Sequence, residues 1–319
     1  MGCAITAIVF SHLEHNFVVH NLTPSRLSKI LNNGTAGVDI FMFLSGFGLY
    51  YSYEKNRPGY VEFIKKRFNR VIPDYLVIGG TAWVITDLLM SKLGFVTFLE
   101  DITFISMFTR GVARYWYVFA VCVFYMLFPL VFRCIEKQKH PYRVFILFFA
   151  AFWIFTACLH KILPNYMNIR MMIERFPVFV FGTICGRSAK EGKTISVSKL
   201  AIICCIFVVG ICMRDQYKHL HYAHYFCHGL IAMTAMIAAI PAMEWVESFK
   251  PDIYQAIFKF FCFLGGSTLE IYLFHISFRH ILHHPYTWPG YFSGLVILPI
   301  ASSIIYKRIK TRLKKENVR

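Results

Sequence analysis

The sequence predicts an all-α, polytopic membrane protein with about ten transmembrane helices and both termini in the cytoplasm. Apolar residues make up 57% of the chain and charged residues only 16%, whereas ordinary soluble domains carry about 25% charged residues. Apolar stretches recur along the whole length, and lysine and arginine concentrate in alternate connections between them. We therefore predict one integral membrane domain over residues 1–319.

Ten spans are predicted, joined by short polar connections. A helix needs about 20 residues to cross a bilayer, so the sixth and seventh spans are short. The stretch 95–108 is apolar but contains Glu100 and Asp101, and we expect an interfacial or re-entrant helix there. The predicted spans are residues 2–20, 36–53, 71–90, 115–135, 143–160, 174–187, 199–213, 224–243, 256–278 and 289–307.

The distribution of positive charge predicts the orientation. With the N-terminus inside, the inner connections carry 23 of the 34 lysines and arginines, and the outer connections carry 11. Cytoplasmic connections ordinarily hold this excess, so residues 307–319 are predicted to form a basic cytoplasmic tail. Despite the net charge of +17, no basic soluble domain is evident, which argues against nucleic-acid binding.

A basic stretch, KKRFNR, precedes the third predicted span. In a helix, Lys66, Arg67 and Arg70 would share one face, because residues three and four apart are neighbours on a helix surface. Pro73 could then open a new helix, since the first helical turn does not use its N–H. Clustered cations suit a ligand that carries phosphates, but they equally suit an anchor on anionic lipid.

Two polar residues stand out in the first two predicted spans. His12 could take a proton from a hydroxyl, or it could be an interfacial histidine bonded to water or backbone. Asp39 could orient that histidine, receive an acceptor hydroxyl, or form a structural hydrogen bond between helices. Ser45 and Gly46 read most simply as small residues that let two helices approach closely.

Further polar residues occur in the second half of the chain. Glu270 and His275 are five apart, so they do not stack on one helix face, and they either line a cavity or form a satisfied core pair. His224 and His228 could share a metal ion. No acid accompanies them, and no metal site is predicted.

Four segments together resemble the membrane-bound acyltransferase family 3. They are AIVFSH, GVDIFMFLSGFGLYYS, FIKKRFNRVIPDY and IYLFH, in this order and spacing. Members of that family O-acylate polysaccharides, lipid-linked sugars and related cell-envelope acceptors. The resemblance covers essentially the whole chain and implies an acyl-CoA donor, usually acetyl-CoA, that enters from the cytoplasm. It makes His12 the catalytic histidine, lines the site with Asp39, Ser45 and Gly46, and puts Lys66, Arg67 and Arg70 near the CoA phosphates.

One departure concerns the first motif, which in the family begins with an arginine. Met1 occupies that position here. The expectation is that the natural start lies upstream, or else that the first helix is truncated and the protein impaired. In the late motif, Leu269 stands where relatives often have an aromatic residue.

The sequence and the resemblance together predict an O-acyltransferase of a bacterial-type plasma membrane. Its partners would be acyl-CoA, a carbohydrate or lipid-linked sugar acceptor, and membrane lipid. A transporter of sugar or lipid is an alternative, although internal repeats and paired helices broken by Gly or Pro are not evident. A truncated, inactive family member and an enzyme that acylates a protein or peptide also stay open.

Overall fold

The computed structural model describes residues 1–19, 34, 36–162, 166–193, 243–249, 251–282 and 288–316, with scattered residues between 201 and 237. Every regular element in these ranges is helical, which confirms the all-α prediction. Among these residues, four helices are long and apolar enough to cross a membrane, or five with one bent pair. The ten-span count and the orientation stay predictions. Six of the fifteen residues of the predicted span 199–213 and fifteen of the twenty residues of 224–243 fall outside the described residues.

The described helices overlap the predicted spans, except for Phe95–Ile102, Ile105–Thr109 and Tyr166–Ile173, and their ends differ from the predicted ends. They are Gly2–Val19, Ala36–Asn56, Tyr60–Asp74, Phe95–Ile102, Ile105–Thr109, Trp116–Glu136, Pro141–Ile162, Tyr166–Ile173, Phe176–Lys190, Pro251–Gly265, Thr268–Ile281, Trp288–Phe292 and Leu298–Glu316. The apolar stretch 95–108 forms two short helices, each far below the length of a crossing. The predicted tail is helical as far as Glu316.

The third predicted span begins earlier than expected. The helix Tyr60–Asp74 contains Pro73 and continues through the π-helical turn Tyr75–Gly79, and the unbroken helix runs on to Met90. The expectation that a new helix starts at Pro73 is therefore wrong. Pro73 leaves the carbonyl of Asn69 without its α-helical donor, but the loss of this one hydrogen bond does not end the helix.

The ninth predicted span, 256–278, is broken rather than continuous. Its two halves, Pro251–Gly265 and Thr268–Ile281, are bent by 67° at the break. Backbone groups that leave a helix at membrane depth need other partners. Lys307 supplies them, since its Nζ donates to the carbonyl of Gly266 and to Ser267 Oγ at 3.2 Å.

The chain divides into two compact units. The first comprises Met1–Gly37, Phe68–Val118 and Phe258–Arg319. Its central element is the helix Thr268–Ile281. This helix packs against Gly2–Val19, Leu298–Glu316 and the π-helical segments Tyr75–Gly79, Val84–Met90 and Ser293–Ile297. Such a helix is buried on several sides, which explains why its sequence, TLEIYLFHISFRHI, is largely apolar with isolated polar residues.

The second unit comprises Val38–Arg67 and Phe119–Ile257. Aromatic side chains fill its interior: the rings of Phe124, Phe128 and Phe179 lie within 5.2 to 6.2 Å of one another where they pair, and Tyr53 meets Phe128 edge to face. Aromatic pairs of this kind contribute about 0.5–1.5 kcal/mol each beyond their buried area. Through Phe128, these contacts connect the helix Ala36–Asn56 to the helix Phe176–Lys190.

Candidate active site

The first unit brings together two of the predicted site residues, His12 and His275. His12 Nδ1 lies 3.0 Å from His275 Nε2, and the two rings are nearly parallel at 10° with their centroids 5.2 Å apart. His12 is half-buried on the helix Gly2–Val19, whereas His275 is fully buried on Thr268–Ile281. Residues 263 positions apart in the chain therefore form one polar pair inside an apolar environment.

The second nitrogen of His275 determines how protons are arranged in this pair. His275 Nδ1 lies 2.7 Å from the carbonyl oxygen of Leu295. A carbonyl only accepts, so His275 Nδ1 carries the hydrogen, and in a neutral imidazole Nε2 is then the acceptor. Burial of the ring favours that neutral form. His275 Nε2 thus accepts from His12 Nδ1–H, which leaves the lone pair of neutral His12 on its Nε2.

Apolar packing fixes the two backbones that meet at the histidine pair. Leu13, next to His12, is completely buried against Tyr291 and Leu295, and Phe10 packs on the same cluster. The backbone carbonyl of Leu295 accepts a hydrogen bond from His275, while the side chain of Leu295 packs in the apolar cluster. The packing therefore fixes the position of the hydrogen-bond acceptor relative to the helix that carries His12.

Glu270, the other polar residue predicted in this span, precedes His275 by five residues, which is more than one helical turn. It is half-buried in the first turn of Thr268–Ile281 and interacts electrostatically with Tyr306. Its role in lining the site stays a prediction.

Asp39 lies in the second unit and is paired with an arginine. Its Oδ1 is 3.3 Å from Arg175 Nε, and the exposed fractions of the two residues are 4% and 8%. Arg175 also donates from Nη1 to the carbonyl of Met171 at 2.8 Å. A buried carboxylate needs a partner of this kind. The prediction that Asp39 orients His12 stays a prediction.

Gly46 lies where two helices of the second unit approach each other. A Cβ atom added to Gly46 would be 2.1 Å from the carbonyl oxygen of Phe179, and one added to Gly182 would be equally close to the carbonyl oxygen of Phe43. The interpretation of Gly46 as a packing residue therefore fits the structure. Ser45, its neighbour, is half-buried, and a site-lining role for either residue stays a prediction.

The basic stretch is helical, which is the condition under which Lys66, Arg67 and Arg70 share a face. Lys66 and Arg70 are exposed on the helix Tyr60–Asp74. Arg67 is half-buried: its Nη2 donates to Ser52 Oγ at 2.5 Å, and its guanidinium lies 5.4 Å from the ring centre of Phe63. Lys66 and Arg70 thus have the exposure that an anionic ligand needs, whereas Arg67 also contributes to packing.

Three residues of these constellations had no part in the sequence prediction: Leu295, Arg175 and Ser52. Leu295 acts through its carbonyl, so its side chain gives no signal. Arg175 could have been noticed, since it follows Glu174 directly at the start of the predicted span 174–187, and an intramembrane cation usually has an acidic partner.

Among the described residues, no group of three or more His, Cys, Asp or Glu side chains could hold a metal ion. His224 and His228, the pair considered for a metal, lie outside the described residues.

Comparison with known proteins adds a family to this geometry. The family model described as an acyltransferase domain, that of acyltransferase family 3, matches residues 2–308, which is essentially the whole chain and includes both histidines. No curated protein and no solved structure matches the chain. The chain therefore belongs to acyltransferase family 3, a family of membrane acyltransferases.

Proposed function

We propose that this protein moves an acetyl group from acetyl-CoA to a hydroxyl of a cell-envelope carbohydrate or lipid-linked sugar, and that it does so in a bacterial-type plasma membrane. Membership of the family supports acyl transfer. The observation that carries the proposal further is the hydrogen-bonded series His12–His275–Leu295. It arranges His12 as a base, which is the group that O-acylation of an unactivated hydroxyl requires.

The chemistry follows from the position of the lone pair. His12 Nε2 removes the proton from the acceptor hydroxyl as its oxygen attacks the thioester carbonyl. The C–S bond breaks, the new C–O ester bond forms, and the thiolate of CoA receives the proton from His12. His275 holds the Nδ1–H of His12 throughout and needs no charge of its own. General-base catalysis of this kind contributes about 10²–10⁴-fold.

The same residues are compatible with a second route, in which His12 Nε2 attacks the thioester and briefly carries the acetyl group. The two routes differ in one measurable reaction. Exchange of label between acetyl-CoA and free CoA without any acceptor requires the acyl-enzyme, whereas direct transfer gives no exchange.

The donor would meet the exposed cations of the helix Tyr60–Asp74. Lys66 and Arg70 would contact the CoA phosphates, with Arg67 contributing from its half-buried position. Cation–phosphate hydrogen bonds are short and strong, and arginine supplies paired donors. Asp39, Ser45 and Gly46, together with Glu270, are proposed as the site lining on the grounds of the family resemblance.

Transfer of labelled acetyl from acetyl-CoA to the glycan fraction of membranes tests the function. Membranes come from the source organism with the native copy deleted and one variant restored at a time. We expect His12→Ala to lose at least 99% of transfer, while His140→Ala, the matched change at an exposed histidine of the second unit, keeps the parental rate. Equal label in parent and His12→Ala membranes would sink the assignment of His12. Sugar or lipid uptake without any transfer would instead favour the transporter.

A further inference from the structure

We infer that His275 and Pro299 are positioning residues for His12: Pro299 withholds a backbone N–H, which reserves the Leu295 carbonyl for His275, and His275 in turn holds the reactive tautomer of His12. This inference rests on the proposed function. It adds a residue, Pro299, that lies outside every motif discussed above, and it assigns a cause to the hydrogen bond between His275 and Leu295.

The first step concerns the helix that carries the carbonyl. Ser293–Ile297 is a π-helical turn that leads directly into the helix Leu298–Glu316. In an α-helix, the carbonyl of Leu295 would accept from the amide of residue 299. That residue is Pro299, which has no N–H. The α-helical donor of this carbonyl is therefore missing by sequence, and in the π-helical register, where Leu298 N–H bonds to the carbonyl of Ser293, the only backbone competitor of His275 would be the amide of Ile300.

The second step concerns what replaces the missing donor. A buried carbonyl without a partner is costly, so the large majority of such groups in native proteins are paired. Leu295 is buried at 4% exposure, and His275 Nδ1 donates to its carbonyl at 2.7 Å. The imidazole N–H and the carbonyl oxygen thus satisfy each other's hydrogen-bonding requirement.

The third step concerns His12. The proton on His275 Nδ1 obliges Nε2 to accept, and His12 Nδ1 at 3.0 Å is the donor. Without the anchor at Leu295, the His275 ring could bind with either nitrogen protonated, and protonation at its Nε2 would place the lone pair of His12 on Nδ1. Pro299 acts on catalysis only through this series, because its ring is part of the next helix and not of the histidine pair.

The variants that test the series are Pro299→Ala, His275→Ala and His275→Gln. Alanine at 299 supplies an N–H that competes for the Leu295 carbonyl. Glutamine at 275 can still accept from His12 and donate to Leu295, so it is the conservative replacement. Pro129→Ala is the matched control: Pro129 is also buried and lies inside a helix, Trp116–Glu136, of the second unit.

Turnover in the membrane assay, at varied acetyl-CoA concentration, gives the kinetic readout. We expect His275→Ala to lower kcat about 100-fold with the KM for acetyl-CoA unchanged, His275→Gln to recover at least ten-fold of this, and Pro299→Ala to lower kcat about three- to ten-fold. Pro129→Ala should stay within two-fold of the parent. In the His275→Ala background, Pro299→Ala should cost nothing further, because the series is already broken.

A readout besides activity separates this inference from the proposed function. In protein labelled with ¹⁵N-histidine in bilayers, the difference between parent and His12→Gln spectra identifies His12, and the nitrogen shifts give its tautomer. We expect a single Nδ1-protonated form in the parent and a mixture in Pro299→Ala.

Two results would overturn the inference: a Pro299→Ala loss that persists in the His275→Ala background, or a parental tautomer protonated at Nε2. If instead His12 has the expected tautomer but neither the parent nor any variant transfers label, the proposed function is wrong. The inference about the tautomer of His12 would still hold in that case.

Discussion

Asp39 and Arg175 form a buried ion pair, with 3.3 Å between Oδ1 and Nε, and both side chains are at most 10% exposed. The pair joins the helix Ala36–Asn56 to the start of Phe176–Lys190 within the second unit. A buried pair often contributes little net stability, but the removal of one partner leaves the other charge uncompensated. Asp39 therefore has a structural duty beside any part it takes in the reaction.

The first prediction separates those two duties. Asp39→Asn should destabilise the protein by about 3–5 kcal/mol, because it strands the charge of Arg175. The double variant Asp39→Asn/Arg175→Gln should recover most of that loss in thermal unfolding measured in detergent. Acetyl transfer by the double variant should nevertheless stay below a tenth of the parental rate. Recovery of both stability and transfer would mean that Asp39 is structural only.

The second prediction concerns the donor. Lys66→Gln/Arg70→Gln should raise the KM for acetyl-CoA about ten-fold, since two exposed cation–phosphate contacts together contribute on the order of 1.4 kcal/mol. Raising the salt concentration should weaken donor binding by the parent more than by the variant. The measurement is initial transfer rate against acetyl-CoA concentration.

Lys65→Gln is the control for that change, because Lys65 is equally exposed but is turned about 100° around the helix from Lys66. It should leave the KM for acetyl-CoA within two-fold of the parent. An unchanged KM in the double variant, together with weaker binding to vesicles of anionic lipid, would favour the anchor over the donor site.

Local patterns predicted the helices and the residues of the histidine pair but not the pair itself. His12 stands out because polar residues are rare in apolar spans, and His275 stands out for the same reason. Their contact joins positions 263 residues apart, and no periodicity encodes such a distance. The spacing of Leu295 and Pro299 is visible in the sequence. That the Leu295 carbonyl binds the imidazole of His275 could not be predicted from it.

The two corrected boundaries both occur at residues that fit poorly inside a helix. Pro73 was expected to open a helix, but the helix Tyr60–Asp74 runs through it, because the loss of one backbone hydrogen bond does not by itself end a helix. The break at Gly266 directly follows Gly265, and the low helix propensity of two consecutive glycines is readable in the sequence. Its stability depends on Lys307, forty residues later, which is not readable in the same way.

The third prediction concerns pH. Glu191 ends the helix Phe176–Lys190, outside the predicted span, and hydrogen bonds from Lys193 and Arg187 hold the pKa of its carboxyl below the usual value. A carboxyl whose pKa is lower in the folded state stabilises the fold above its unfolded pKa and loses that contribution as pH falls through the folded pKa. Because Glu191 is largely exposed, solvent screening keeps the contribution small, at about 0.3 kcal/mol.

Glu191→Gln should therefore lower the Tm slightly at pH 7, and the difference from the parent should shrink as the pH is lowered from about 5 toward 3. Glu244→Gln, at another exposed position, provides the comparison. A difference that grows toward low pH would contradict the sign of the pKa change. Arg187→Gln should cost more than Glu191→Gln at pH 7, because Arg187 Nη1 also donates to the carbonyls of Ile135 and Gln138, at 2.6 and 3.0 Å.

The last prediction concerns the close approach of two helices at Gly46. A methyl group at this position would lie 2.1 Å from the backbone oxygen of Phe179 and 2.9 Å from Thr183 Oγ1. Backbone cannot move aside as a flexible side chain can, so the helices Ala36–Asn56 and Phe176–Lys190 would have to separate. We expect Gly46→Ala to lower the free energy of unfolding by about 1–3 kcal/mol, which is the usual cost of overpacking.

Gly48 lies two residues further along the same helix and provides a matched control. It is exposed, and an added Cβ there meets no described atom within 4 Å. Gly48→Ala should be neutral or stabilising by up to about 1 kcal/mol, because alanine has the higher helix propensity. Thermal unfolding of both variants in detergent gives the comparison. If Gly46→Ala keeps parental stability but loses transfer, Gly46 serves the site itself, and its packing against Phe179 is secondary.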